Sequence, residues 1–247
     1  MRKESSMKLA HWAGAEDSPP EGMCFIHDSD HLPESLERFA VILANGTEAR
    51  ASELLAIGAE RVLLADAALL DSAVVGRLVQ QHGTGRIGVW LPVKKASISW
   101  SLDKKAPNAG FKCMMPSMGV AGWEVLKSDG TSTGTDAEWW VGQMLALGAS
   151  MALIGVDMQD DDLNICAGLI EQHGEKLWFT THKQPDADLE PWVRWGQVRQ
   201  LVLPAPNERD EEEMARIFAA AMVKMESPDD ELIVDKAAAN EQTGTAK

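Results

Sequence analysis

RFAVILANGTEARASELLAIGAERVLLADA, residues 38–67, is the stretch whose reading decides the fold. RFAVILAN is apolar without alternation, as strands buried on both faces are. Residues 48–58 then repeat apolar side chains at three-to-four spacing and stop at Gly58, the usual end of a helix. A second continuous apolar run, RVLLADA, follows at once. Strand, helix and strand joined this closely make a parallel βα unit.

The same rhythm extends in both directions. Strand-like runs recur at 23–28, 86–93, 123–128, 150–157, 176–182 and 198–204, and helix-like stretches at 69–83, 135–148 and 162–174. Gly83, Gly148 and Gly174 close those helices, and Thr135 and Asp136 are suited to cap the second. The expected fold class is α/β, a (β/α)8 TIM-type barrel, since about 250 residues suffice for one. The alternative, a doubly wound open sheet, normally carries a glycine-rich first turn, and none is present.

Two regions interrupt the rhythm. Residues 94–122 form a loop long enough to be a functional lid or hairpin, with Ile98–Leu102 and Trp123–Lys127 as its expected arms. The polar tail reads as disordered, and residues 1–21 read as loosely ordered. The expected organisation is therefore a loose segment at 1–21, one barrel domain at 22–226 and a disordered tail at 227–247.

Composition narrows the function. The 247 residues carry 23 Lys and Arg against 38 Asp and Glu, a net charge of −15. Such an acidic chain does not neutralise phosphates, so a nucleic-acid partner is not expected, nor is an anionic membrane surface. No apolar run approaches the roughly 18 residues of a transmembrane helix, and the first residues lack a signal-type apolar core. A cytoplasmic location is expected. Cys24, Cys113 and Cys166 form no CxxC pair and read as reduced thiols. Nine tryptophans accompany no tyrosine, for which the sequence offers no physical reason.

Residues 39–182 resemble the phosphoribosyl-handling barrels of histidine biosynthesis, the ProFAR isomerase and, more closely, the cyclase subunit of imidazole glycerol phosphate synthase. The resemblance is carried by WEVLKSDGTSTGTDAEWWVGQMLALGASMALIGVDMQDDD (123–162), where Thr133, Gly134, Asp136, Ala137, Trp140, Leu147, Gly148, Ala149 and Asp157 match the family pattern, and by IGAERVLLADAALLD upstream. It implies that the chain enters at the third strand near residue 39, with two shortened βα units before it. Asp28 is the nearest counterpart of the family's second catalytic Asp; the candidate catalytic residues are Asp28, Asp157 and Lys94, and the candidate ligand-binding residues Asn45, Gly46, Asp66, Thr133, Gly134 and His182.

The departures fall on the functional positions. One glycine stands in Leu43–Glu48 where the family carries Gly-Gly-Gly-x-Arg, and Thr180–Pro185 replaces Ser-Gly-Gly. Asp66 stands where a small hydroxyl residue meets phosphate, a like-charge clash. Pro92 occupies the place of a catalytic Asp and transfers no proton. The parent isomerisation or cyclisation is not expected.

Strand ends line one face of a barrel, and there periodicity alone places His27, Asp28, Asn45, Asp66, Lys94, Lys127, Asp157 and His182. His27, Asp28 and His31, with His182, are the densest set of metal-capable side chains, suited to a divalent metal. The plainer alternative is that Asp28, Ser29 and Asp30 cap a helix over LPESLERF. Lys94 and Lys95, with Lys104, Lys105 and Lys112, form a basic island able to hold an anion. The run Asp157–Asp162 suits either a hard cation or a helix start, and Trp139–Trp140 either an interface or internal packing.

Three readings follow. One is an isomerase- or lyase-like enzyme, or binding protein, for a small phosphorylated, pterin-, purine- or sugar-like ligand at the barrel mouth, with Lys94 assisting. The second is a non-catalytic barrel serving as partner subunit, scaffold or homo-oligomer. The third is a metal-dependent enzyme built on the His27–His31 cluster.

Overall fold

A computed structural model describes residues 7–13, 22–96, 122–184, 186–204 and 211–226. Among these described residues ten strands run in order as β1 (Lys8–Trp12), β2 (Cys24–His27), β3 (Phe39–Leu43), β4 (Arg61–Leu64), β5 (Ile87–Lys95), β6 (Trp123–Leu126), β7 (Ser132–Asp136), β8 (Ala152–Gly155), β9 (Leu177–Thr180) and β10 (Gln200–Leu203). Seven helices lie among them, α1 (Glu48–Ala56), α2 (Asp66–Leu70), α3 (Ala73–His82), α4 (Ala137–Ala146), α5 (Leu163–His173), α6 (Glu190–Arg194) and α7 (Glu211–Glu226).

Eight of the strands close a parallel barrel in the order β1-β2-β3-β4-β5-β8-β9-β10. Pairing of Ala10 with Val202 joins the last strand to the first. The (β/α)8 expectation therefore holds, and Phe39 does open the third strand. The shortened first units close the barrel with β1, a strand inside the segment read as loosely ordered. Residues 28–38 link β2 to β3 without a helix, so the helix expected over LPESLERF is absent. Leu36 is instead buried, and its carbonyl accepts from the Phe39 and Glu60 amides.

Strand alternation divides the core in two. Outward residues such as Val41, Val62, Val89 and Ile154 pack under the helices, while Ala10, Phe25, Ile42, Leu63, Trp90, Leu153 and Trp178 fill the barrel interior. Both faces of β3, β8 and β9 are thus covered, which is why those runs read as continuously apolar. Local signals end the helices as anticipated. Thr47 Oγ1 accepts from the Arg50 amide at the start of α1, and Asp136 Oδ1 accepts from the Trp139 amide at 2.8 Å at the start of α4. Gly58 and Gly148 leave their helices at φ of +110° and +103°, where a side chain would be strained. Trp140 is fully buried, so the packing alternative holds for that member of the tryptophan pair.

The run at 123–128 is not a barrel strand. Strand β6 pairs antiparallel with the projecting end of β5 (Lys94 opposite Glu124) and with β7, making a hairpin that extends from the barrel's C-terminal edge. The arm expected at Ile98–Leu102, the lysines at 104, 105 and 112, Cys113 and the tail at 227–247 lie outside the described residues. No helix among the described residues is long and apolar enough to cross a membrane.

Candidate functional site at the barrel mouth

The inward positions nearest the C-terminal strand ends carry Trp12, His27, Pro92, Gly155 and Thr180, with Trp90 one inward position deeper than Pro92. Their rings form one cluster. Trp12 and His27 stack at a centroid distance of 5.0 Å and an interplanar angle of 3°. Trp90 meets His27 edge-on at 5.6 Å and 85°. Phe25 supports the cluster from the next layer, 6.1 Å from Trp12 and 5.9 Å from Trp178. The Trp12 indole donates from Nε1 to Thr180 Oγ1 at 2.9 Å across the mouth. Trp90 Nε1 is buried and has no hydrogen-bond partner. It packs beside the buried Gly155, where an added Cβ would make ordinary contacts, 3.6 Å from Trp90 Nε1 and 3.7 Å from His182 Nδ1.

The protein packed around His27 lowers its pKa, although the residue keeps access to solvent. Burial also lowers the pKa of His182; the Asp157 carboxylate opposes that shift and Lys183 reinforces it. Both imidazoles are therefore neutral at neutral pH, able to accept a proton or exchange hydrogen bonds with a ligand.

The carboxylates nearby are engaged by the chain itself. Asp157, just past β8, turns into the loop after β9. Its Oδ1 accepts from the backbone amides of His182, Lys183 and Gln184 at 2.9, 2.8 and 3.1 Å. Consecutive amides aimed at one oxygen form an anion-binding concavity, and here the occupant is internal. Asp66, after β4, accepts from the Ser128 amide at 2.8 Å and lies 2.9 Å from its hydroxyl, while Asn45 Oδ1 lies 2.6 Å from that hydroxyl. These two residues pin the turn of the hairpin. Asp28 makes a two-point ion pair with Arg50, at 2.8 and 3.1 Å.

The remaining residues singled out by the sequence belong mostly to the hairpin. Lys94 lies 3.8 Å from the buried Glu124 carboxylate and also contacts Ser132. Thr133 donates to the Val125 carbonyl, and the Gly134 amide donates to Glu124 Oε1 at 2.6 Å. Neither faces the mouth as a phosphate loop would. Gly46 is demanded by packing, since a Cβ there would lie 2.1 Å from Leu43 Cδ1. His31 is exposed and apart from the ring cluster. Among the described residues no three His, Cys, Asp or Glu side chains converge as a metal site requires, so the His27–His31 metal cluster is not assembled. In the acidic run, Asp162 accepts from the Gln159 amide at 3.0 Å and from Trp123 Nε1 at 3.2 Å, a capping role.

His27, Asp157 and His182 are thus brought together at the mouth, with Asp66 and Asn45 at its hairpin edge. Trp12, Trp90, Gly155 and Thr180 were not anticipated as site residues. The signal for Trp90 was its parity with Pro92, two residues on along the same strand face. Trp12 had none, lying in a segment with no strand-like run.

No protein-family model and no curated protein matches this chain. Among solved structures it is similar to a phosphoribosyl anthranilate isomerase from Thermococcus kodakaraensis at 9% identity and a TM-score of 0.49, covering 87% of this chain and 98% of that one. The barrel assignment rests on the strand register of this chain.

Proposed function

We propose that this barrel binds a small, planar, unphosphorylated ring metabolite at its C-terminal mouth. The observation that carries this reading is the contrast between two kinds of position. The oxyanion-holding places after β4 and β9 are filled by the chain's own carboxylates, Asp66 and Asp157. The mouth between them presents indole and imidazole rings. Trp12 and His27 are reached by solvent, and a flat ring can pair with such rings at centroid distances of about 4.5–7 Å. A phosphate would meet a carboxylate at either end.

Proton transfer there falls to His27 and His182. A pair of free carboxylates, which the family resemblance required at Asp28 and Asp157, is not available, and Pro92 fills the third place. The parent isomerisation or cyclisation is accordingly not assigned to this chain, and the phosphorylated ligand is the less supported of the two small-molecule readings.

A thermal-shift panel tests the proposal, with unphosphorylated heterocycles set against ribose 5-phosphate and inorganic phosphate. A ligand at 100 times its dissociation constant adds about 2.7 kcal/mol, or roughly 5–10 °C for a chain of this size. Stabilisation by the ring compounds alone is expected. Stabilisation by the phosphates alone would overturn the proposal, and no shift with either would favour the partner-subunit reading.

A further inference from the structure

We propose that Asn45-Gly46 is a site of spontaneous covalent modification, at which Asn45 deamidates through a cyclic imide and thereby opens the clamp on the hairpin. In this chemistry the Gly46 amide nitrogen gives up its proton and bonds to Asn45 Cγ. The Cγ–Nδ2 bond breaks and ammonia leaves. Water then opens the five-membered ring at either carbonyl, which gives aspartate or isoaspartate at position 45. Water consumed and ammonia released balance the step, with no change of oxidation state. Glycine as the following residue favours it, because no side chain shields the attacking nitrogen or restricts its backbone.

The structure leaves this pair open to attack. Asn45 is exposed and lies between β3 and α1, in neither a strand nor a helix that would fix its backbone. The Gly46 amide has no hydrogen-bond partner within the chain among the described residues, so its proton is available. A second pair of the same kind, Asp129-Gly130, stands in the hairpin turn and is protected. There the Gly130 amide donates to the Lys127 carbonyl at 2.9 Å, and Asp129 Oδ1 accepts from the Thr131 amide at 2.8 Å. Hydrogen bonds from Thr131 hold the Asp129 carboxyl below its ordinary pKa, and an ionised carboxylate resists attack by an amide nitrogen. Two dipeptides alike in sequence are thus set apart by their hydrogen bonds.

The consequence falls on the clamp. Ser128 Oγ lies 2.6 Å from Asn45 Oδ1 and 2.9 Å from Asp66 Oδ2. A serine hydroxyl has one proton to give, and an asparagine amide can turn its NH2 toward that oxygen, which leaves the proton for Asp66. Aspartate at 45 offers no donor and sets a second carboxylate on the same hydroxyl, where like charges repel. Isoaspartate adds one carbon to the main chain between β3 and α1 as well. Either product loosens the turn at 127–131.

The test ages the full chain in mildly alkaline buffer, folded and in urea, with position 45 followed by peptide mass mapping and by enzymatic methylation of isoaspartyl carboxyls. The folded chain should gain about one dalton at Asn45 at a rate within about 10-fold of the denatured chain, as a segment without structural protection does. Isoaspartate at Asp129 should accumulate in urea alone. Asn45→Gln should abolish the product at 45, because glutamine must close a larger ring. Asn45→Asp, and wild type once converted at 45, should exchange amide hydrogens at 127–131 roughly 3-fold faster than fresh protein, the scale of an exposed like-charge pair. The aged wild type carries this readout where Asn45→Asp does not fold. A folded chain that keeps Asn45 intact while the denatured chain deamidates would overturn the proposal. So would unchanged exchange at 127–131 in wild type converted at 45.

Discussion

Replacing Asp157 by Ala should uncover an anion site that the wild-type protein keeps closed. The carboxylate accepts from the His182, Lys183 and Gln184 amides at 2.8–3.1 Å. Hydrogen bonds to a charged acceptor contribute about 1.5–3 kcal/mol each when well shielded. The Lys183 and Gln184 amides are exposed and regain water when the acceptor is lost, so the whole cluster is worth about 2–3 kcal/mol here. At 2–4 °C per kcal/mol for a chain of this size, Asp157→Ala should melt roughly 4–12 °C below wild type. The emptied amides then have no anion. Sulfate at ten times its dissociation constant should restore about 1.4 kcal/mol, roughly 3–6 °C. Melting followed by circular dichroism in sodium sulfate, against sodium chloride of equal ionic strength, separates site binding from general salt effects. An unchanged melting temperature for the variant would refute the reasoning. So would a sulfate response no larger than that of wild type.

Other outcomes follow from the same geometry. Ser128→Ala should loosen the hairpin turn at a cost of about 1 kcal/mol and Asp66→Ala at about 2 kcal/mol, because the second also deserts the Ser128 amide. Hydrogen exchange should rise at residues 127–131 in both variants, and unchanged protection would contradict the clamp. His27 and His182 bind protons less readily when folded than when unfolded. The unfolded chain therefore takes up protons first as the pH falls below about 6.5, and stability declines through that window while staying level above it. Melting temperatures between pH 7.5 and 5.5 should fall less steeply in a His27→Gln, His182→Gln double variant than in wild type; equal slopes would remove these histidines from the account. Burial raises the thiol pKa of Cys24 and of Cys166, the latter also beside the Asp162 carboxylate. In a Cys113→Ser variant a disulfide-exchange reagent should therefore label no thiol until denaturant is added, and labelling of the native protein would show those sites open.

The barrel was legible in the sequence where its strands are covered on both faces. RFAVIL, RVLL and MALIG are apolar without interruption because helices lie outside them and the packed interior lies inside. Strand β1 escaped notice because Lys8–Trp12 has one buried residue, Ala10, among exposed and half-buried ones. The hairpin was legible as an arm at Trp123–Lys127, while its return strand was hidden in a Thr-Gly-x-Asp-Ala segment that read as a turn entering a helix. Asp136 does cap that helix, so the local signal was right and the preceding residues were not turn. For the site, parity along each strand placed His27, Asp66, Asp157 and His182 at the correct end. It could not show that Asp157 reaches into the loop at 182–184 or that Asp66 holds Ser128, because such contacts span 25 or 62 residues of chain. Long-range pairing turned the expected catalytic Asp157 and ligand-binding Asp66 into clamps, and left the mouth to Trp12, Trp90 and Thr180, which do not read as site residues in the sequence.

The central claim is that this mouth receives a flat neutral ring and that its oxyanion places are already filled. Nitrogen-15 spectra of the wild-type protein test both halves in one sample, with hypoxanthine and inorganic phosphate added in turn. The account predicts that hypoxanthine moves the indole signals of Trp12 and Trp90, and that phosphate leaves the amides of His182, Lys183 and Gln184 where they were. Phosphate moving those amides with Asp157 intact, while hypoxanthine leaves both indoles unmoved, would contradict it.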